Sequence, residues 1–437
     1  MRNNHKLPIA QWLGLGLLLW LFIAFGLFYL VQKPFTPAAA AAIAKAVLDL
    51  LAAAWLGLLG LGLGHRLLYW IKRLKPSNLP TLRAEPEPKA PCGQDEAFQP
   101  SNSEFDLSIG ELLVLGCGLG LGVLALITLG LGLAGLFYRW LFIVISLLLT
   151  LALWPDFLAL SRRVRRPANR PHRLTTIYLV AIGLFILATA LLPPIDWDGL
   201  FYHLTAPKIF IQARQITPGL DVPHFNFPFL AEMLFAYAML LRGDIAAKLI
   251  HTLYGLLLTG LVYLIARRHL SRESAWPAVL IFLSMPMVVT LAGWAYNDLA
   301  LAFYQLAALY AWLNYQFPNS HNPNSQTISQ ISQAHPGSNS SWLILSGLFA
   351  GLAMGLKYTS FVGPLTIGLF LVWYQVAGRR LQRSNPQTSA PQALSFLPFT
   401  IRHSPFAVHH LRPLFYFALP ALLIALPWYL KNFFFTG

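Results

Sequence analysis

Charge is what this chain has least of. Only 11% of its 437 residues are Asp, Glu, Lys or Arg, against about 25% in an ordinary soluble domain. Acids are the scarcer half, 16 against 31 Lys and Arg. Cysteine is nearly absent. Cys92 lies in a polar stretch and Cys117 in an apolar one, so neither a disulfide framework nor a zinc motif is implied. No convincing internal repeat is visible. With 57% hydrophobic residues, a soluble enzyme and a disordered chain are both excluded, because one aqueous core cannot hide that much apolar surface. The net charge of +15 does not point to nucleic acid. The basic residues sit in short loops between apolar runs, which is the pattern of membrane topology.

What the chain has instead is apolar runs near the ~20 residues that cross a hydrocarbon core. About eleven can be placed, near 9–31, 47–71, 110–132, 138–160, 174–192, 245–266, 275–292, 298–315, 341–356, 360–377 and 413–430. The expected fold is all-α: a polytopic transmembrane helical bundle with an outer-face loop that contains juxtamembrane helices. The first run follows Arg2 and Lys6 and is too long for a signal-peptide core, so it reads as a retained helix. The loop 161–173 holds Arg162, Arg163, Arg165, Arg166, Arg170 and Arg173 and no acid, which makes it cytoplasmic. The N-terminus is then cytoplasmic too, the segment 193–226 lies outside, and the protein is a multi-pass component of the cell membrane. The stretch 227–241 is short for a span. Read as juxtamembrane or re-entrant, it keeps two later basic loops cytoplasmic, one with Arg267, Arg268 and Arg272, the other with Arg379, Arg380, Arg383, Arg402 and Arg412. Residues 1–160 are expected to form four N-terminal spans and 161–437 a second unit, with the low-complexity loop 316–340 inside it. Gly347, Gly351 and Gly355, and the pairs Gly116/Gly120 and Gly118/Gly122, are small-residue ridges for helix packing.

This topology brings three separated stretches to the outer face: 193–226, the turn Trp294-Ala295-Tyr296-Asn297-Asp298, and the turn beginning Lys357-Tyr358. Acids at a span end are costly and tend to be functional. Asp198 could cap the helix that starts at Gly199 or act as a general base; the two are compatible. Asp196 and Asp198 form an Asp-x-Asp pair that could hold a divalent cation, with Asp298 as a third ligand. Lys357 could bind a phosphate or snorkel from a helix end. His203 could bind phosphate, orient Asp198, or be structural. Tyr202, Trp197, Trp294 and Tyr296 could stack on sugars or belong to the interfacial aromatic belt.

The stretch Trp197-Asp198-Gly199-Leu200-Phe201-Tyr202-His203-Leu204, followed by Ala206-Pro207-Lys208, resembles the first outer loop of GT-C glycosyltransferases, in particular the protein mannosyltransferase and aminoarabinose transferase group. The likeness extends to Asn297-Asp298, to Gly351-Leu352-Ala353-Met354-Gly355-Leu356-Lys357-Tyr358, and to Leu426-Pro427-Trp428-Tyr429-Leu430-Lys431-Asn432. It covers roughly 174–437, and the chain is expected to stop short of a C-terminal part. The resemblance implies an enzyme that moves a sugar from a polyprenyl-phosphate carrier to an acceptor, with inversion, at the outer membrane face. It implies Asp198 as the catalytic base. Lys357, Lys208, His203, Asp298 and Tyr202 would bind donor phosphate or substrate, with Arg214 a weaker candidate. The partners would be the lipid-linked sugar, membrane lipid and an acceptor the sequence does not identify. The competing readings are a transporter or flippase of lipid-linked sugars, whose mark would be inverted repeats with midplane charges, and a non-catalytic fragment.

Overall fold

The computed structural model describes residues 9–32, 36–73, 105, 107–163, 171–218, 222–317, 340–383 and 406–436. Cys92, Arg165, Arg166, Arg170, Asp221 and Arg402, most of the loop 316–340 and residues 384–405 of the loop 378–412 lie outside them. Among the described residues there is helix and turn and no strand. The helices are α1 (Ile9–Gln32), α2 (Pro37–Arg73), α3 (Ile109–Leu133), α4 (Arg139–Ala152), α5 (Trp154–Arg163), α6 (Arg173–Leu191), α7 (Thr205–Ala213) and α8 (Leu230–Leu241). Then come α9 (Asp244–Ile265), α10 (Ala275–Leu283), α11 (Pro286–Ala292), α12 (Asp298–Gln316), α13 (Ser340–Met354), α14 (Val362–Arg383) and α15 (Phe406–Thr436). By length and apolarity five helices can each cross a membrane, and seven spans result if each of two bent pairs counts as one. The bends have local causes. α10 and α11 meet at 75°, where Met285 is extended in front of Pro286, as the residue before proline prefers. α4 and α5 meet at 54° just before Pro155.

Two compact units divide the chain at Leu51 and Ala52. The first holds α1 and the start of α2, with the described α1 side chains largely exposed, as a lipid-facing helix would have them. The second holds everything else and is organised around α9, which packs against α3, α6, α8, α10 and α12. α13 joins α12 to α15. Of the expected glycine ridges, Gly120, Gly347 and Gly351 face the backbone of a neighbouring helix, while Gly118, Gly122 and Gly355 face side chains. A Cβ at Gly351 would run into the Ala421 carbonyl of α15 at 2.5 Å, and a Cβ at Gly64 would overlap the Gly116 carbonyl of α3. Inside the bundle the Tyr254 and Tyr304 hydroxyls meet at 2.7 Å and Tyr304 donates to the Gly118 carbonyl at 2.8 Å, so α9, α12 and α3 share one buried polar link.

Cross-links between helix ends sort the second unit into two ends. At one, Arg268 pairs with Glu111 at 2.6 Å, Tyr310 bonds the same carboxylate, and Ser341 donates to the Ile71 carbonyl at 3.3 Å. At the other, Lys208 pairs with Asp244 at 2.6 Å, Ile216 N–H donates to Gly132 at 2.9 Å and Arg139 donates to the Leu241 carbonyl at 3.3 Å. Both ends of α8 belong to this second set, since Leu230 N–H also bonds the Gly355 carbonyl at 3.0 Å. The stretch 227–241 therefore leaves and rejoins the same end, and the basic residues Arg267 and Arg268 fall at the end opposite Asp198.

Candidate active site

The loop after α6 opens with Pro193-Pro194, which cannot continue the helix. Lys248 of α9 donates to the freed carbonyls of Thr189 and Leu192 at 3.1 and 2.7 Å and so anchors the exit of α6. Asp196 turns inward and is buried, with neither carboxylate oxygen hydrogen-bonded. Its carboxylate lies over Gly199, where a Cβ would displace it. Gly199–His203 form one π-helical turn closed by Leu204 N–H to the Gly199 carbonyl at 2.8 Å, a geometry that recurs at functional sites.

Asp198 stands half-buried at the head of that turn, and its side chain makes no capping hydrogen bond. The capping explanation for this acid is therefore removed. Tyr296, in the turn between α11 and α12, bonds the Asp198 backbone; burial first, then the Asp198 charge, hold its phenol above its ordinary pKa. Tyr202 is buried, and burial followed by the charges of Glu232, Asp198 and Asp298 raises its phenol as well. Both phenols are hydrogen-bond donors at neutral pH.

His203 is wholly buried. Its Nδ1 meets Glu232 Oε1 of α8 at 2.5 Å, and Asn297 Nδ2 donates to the same oxygen at 3.1 Å. Sequence reading missed Glu232. The signal was available: it is the single acid in the apolar run Leu230–Leu241, where an acid is costly. Lys357 pairs with Asp298 at 2.8 Å, both partly exposed. Lys208 pairs instead with Asp244, a second acid the sequence reading passed over. Arg214 lies over the Tyr138 ring at 5.0 Å at the end of α7, away from this group. Trp197 is 80% exposed and, among the described residues, stacks on Phe201.

A cavity of about 160 Å³ opens where these segments meet, lined by Tyr202, Phe227, Phe229, Asn297, Leu356, Lys357, Tyr358 and Thr359. Its frame is tied to α15: Lys431 donates to the Phe227 carbonyl at 3.1 Å and Asn432 to the Tyr358 hydroxyl at 2.5 Å. The structure thus brings Tyr202, Asn297 and Lys357 to one cavity, and Asp198 into the same charged cluster, from segments some 60 to 160 residues apart in sequence. It does not gather a metal shell. Among the described residues no three His, Cys, Asp or Glu side chains stand close enough to share an ion, and Asp196 is turned aside against Gly199. A magnesium ion is commonly held by one or two carboxylates together with substrate phosphate and water, an arrangement that needs no three-residue protein shell.

Residues 242–436 match the family model of dolichyl-phosphate-mannose-protein mannosyltransferase. That is a GT-C family, and the match supports a membrane glycosyltransferase that depends on a polyprenyl-phosphate sugar. The matched segment contains Asn297, Asp298, Lys357, Lys431 and Asn432 and begins after Asp198, His203 and Glu232. No curated protein and no solved structure matches the chain.

Proposed function

We propose that the protein transfers a sugar from a polyprenyl-phosphate carrier to an acceptor hydroxyl at the outer membrane face, with inversion and with Asp198 as general base. The observation that carries the reading is the convergence of Asp198, Tyr202, Asp298 and Lys357 at one end of the bundle, opposite the basic turn 266–270. In a membrane, positively charged turns stay cytoplasmic, so the Asp198 end faces outward. About eleven spans, with the N-terminus inside, satisfy the same rule.

The step is a single displacement. The acceptor oxygen attacks the anomeric carbon and gives its proton to the Asp198 carboxylate. The bond from that carbon to the phosphate oxygen breaks, and the polyprenyl monophosphate leaves with the electron pair. A phosphate needs little acid assistance but does need positive charge. Lys357 supplies it, released in part from Asp298, and Lys208 stands further out on the same face. Tyr202 lines the cavity beside Lys357, with the buried His203 next to it in sequence. A single base with no partner acid suits this leaving group, and no step needs a metal. The carrier's chain would lie in an apolar cleft of about 990 Å³ between α3, α6, α9 and α10. The test is transfer of radiolabel from a polyprenyl-phosphate sugar to membrane acceptors by the full-length chain. Transfer by the unaltered protein and its loss in Asp198→Asn are expected; full transfer by the variant would end the assignment.

A further inference from the structure

We propose that Glu232 is the positioning residue for Asp198, acting through His203 and Asn297. α8 is otherwise apolar, and Glu232 has no exposed surface. Burying a carboxylate is costly unless it is bonded, and here one oxygen, Oε1, takes two bonds: His203 at 2.5 Å and Asn297 at 3.1 Å. Those partners sit on the two arms of the site. His203 closes the π-turn that Asp198 heads. Asn297 directly precedes Asp298, which holds Lys357 at 2.8 Å.

Glu232 therefore fixes the loop that carries the base against the turn that carries the phosphate-binding pair, with α8 as the rigid bar between them. A π-turn is an uncommon conformation that relaxes easily to ordinary helix. Anchoring its last residue keeps it wound, and rewinding it would rotate Asp198 away from the reacting carbon. The other titratable groups around His203 are Tyr202 beside it, Tyr296 at 5.3 Å between ring centres, and His251 of α9, while Lys431 of α15 lies within electrostatic reach of Glu232. None of them bonds the His203 ring among the described residues, so Glu232 is its anchor.

The inference rests on the transferase reading for its kinetic test only. In the full-length protein, Glu232→Gln keeps the volume and removes the charge. It is expected to lower kcat about 100-fold, the scale of a 1 Å misplacement, with the donor KM within about twofold. His203→Gln should do the same, and the double variant should be no slower than the worse single one, because both break one bond. A merely structural role would reduce the folded fraction without this split, and additive losses in kcat would overturn the proposal. A second measurement needs no turnover. With Cys92 and Cys117 replaced by Ser, the alkylation rate of Asp198→Cys is compared with and without Glu232→Gln. A several-fold change is expected; equal rates would overturn the proposal. If the unaltered protein transfers no sugar, the transferase reading fails and the alkylation rates alone decide this one.

Discussion

At the scale of single residues, the site is a balance of few charges, partly exposed at Lys357 and Asp298 and buried at Glu232 and His203. Lys357 is the cation that faces the cavity, so Lys357→Ala should raise the donor KM by ~10–100-fold, the cost of a lost charge-assisted bond. Steady-state kinetics with varied donor will read it, and an unchanged KM would assign the lysine to packing. The Tyr202 phenol is held above its ordinary pKa by burial and three carboxylates, so it stays neutral where an exposed tyrosine ionises. The phenolate difference spectrum between the unaltered protein and Tyr202→Phe should stay flat up to about pH 10, the ordinary tyrosine value. A phenolate signal below that pH would show the ring to be wet. Asp198, Asp298 and Lys357 were legible in the sequence because polar residues at span ends stand out against apolar runs. Glu232 and Asp244 were passed over: Glu232 stands out as the lone acid of its apolar run, but the partners of both, His203 and Lys208, lie 29 and 36 residues away and only the folded chain pairs them.

At the scale of elements, the backbone contacts of α13 decide whether the Lys357 turn is held. α13 leads through Gly355 into Lys357, and it rests on α15 through Gly347 and Gly351. Gly351→Val should separate the two helices at a cost of about 1–3 kcal/mol, the usual penalty of overpacking. Gly183→Ala on α6, with nothing within 4 Å, should hold stability or raise it by up to about 1 kcal/mol, since alanine is the better helix former. Thermal unfolding in detergent compares them, and equal midpoints would contradict the ridge. This ridge was legible from its four-residue spacing. The breaks at Pro155 and Pro286 were not taken from the sequence, because apolar composition continues through them and hydropathy does not register a turn of 54° or 75°. The run 227–241 was read as juxtamembrane or re-entrant from its length and the loop charges, and both ends of α8 bond to the same end of the bundle, at Leu230 and Leu241.

At the scale of the whole molecule, exposed Leu, Phe, Ile and Trp side chains on α1, α2, α4, α6, α14 and α15 make a surface that water does not tolerate and lipid does. The two ends of the bundle differ in charge, with Arg267, Arg268 and Arg272 gathered away from the Asp198 loop. In a background without Cys92 and Cys117, Trp197→Cys should react with an impermeant thiol reagent on intact cells, and Arg267→Cys only after the membrane is opened. Reaction of both from one side would contradict the topology. The central claim, that Asp198 takes the acceptor's proton, is tested most directly by the transfer rate of Asp198→Asn at saturating polyprenyl-phosphate sugar. A loss of ~10²–10⁴-fold with donor binding retained is the predicted result, the usual contribution of a general base; a rate equal to that of the unaltered protein would contradict it.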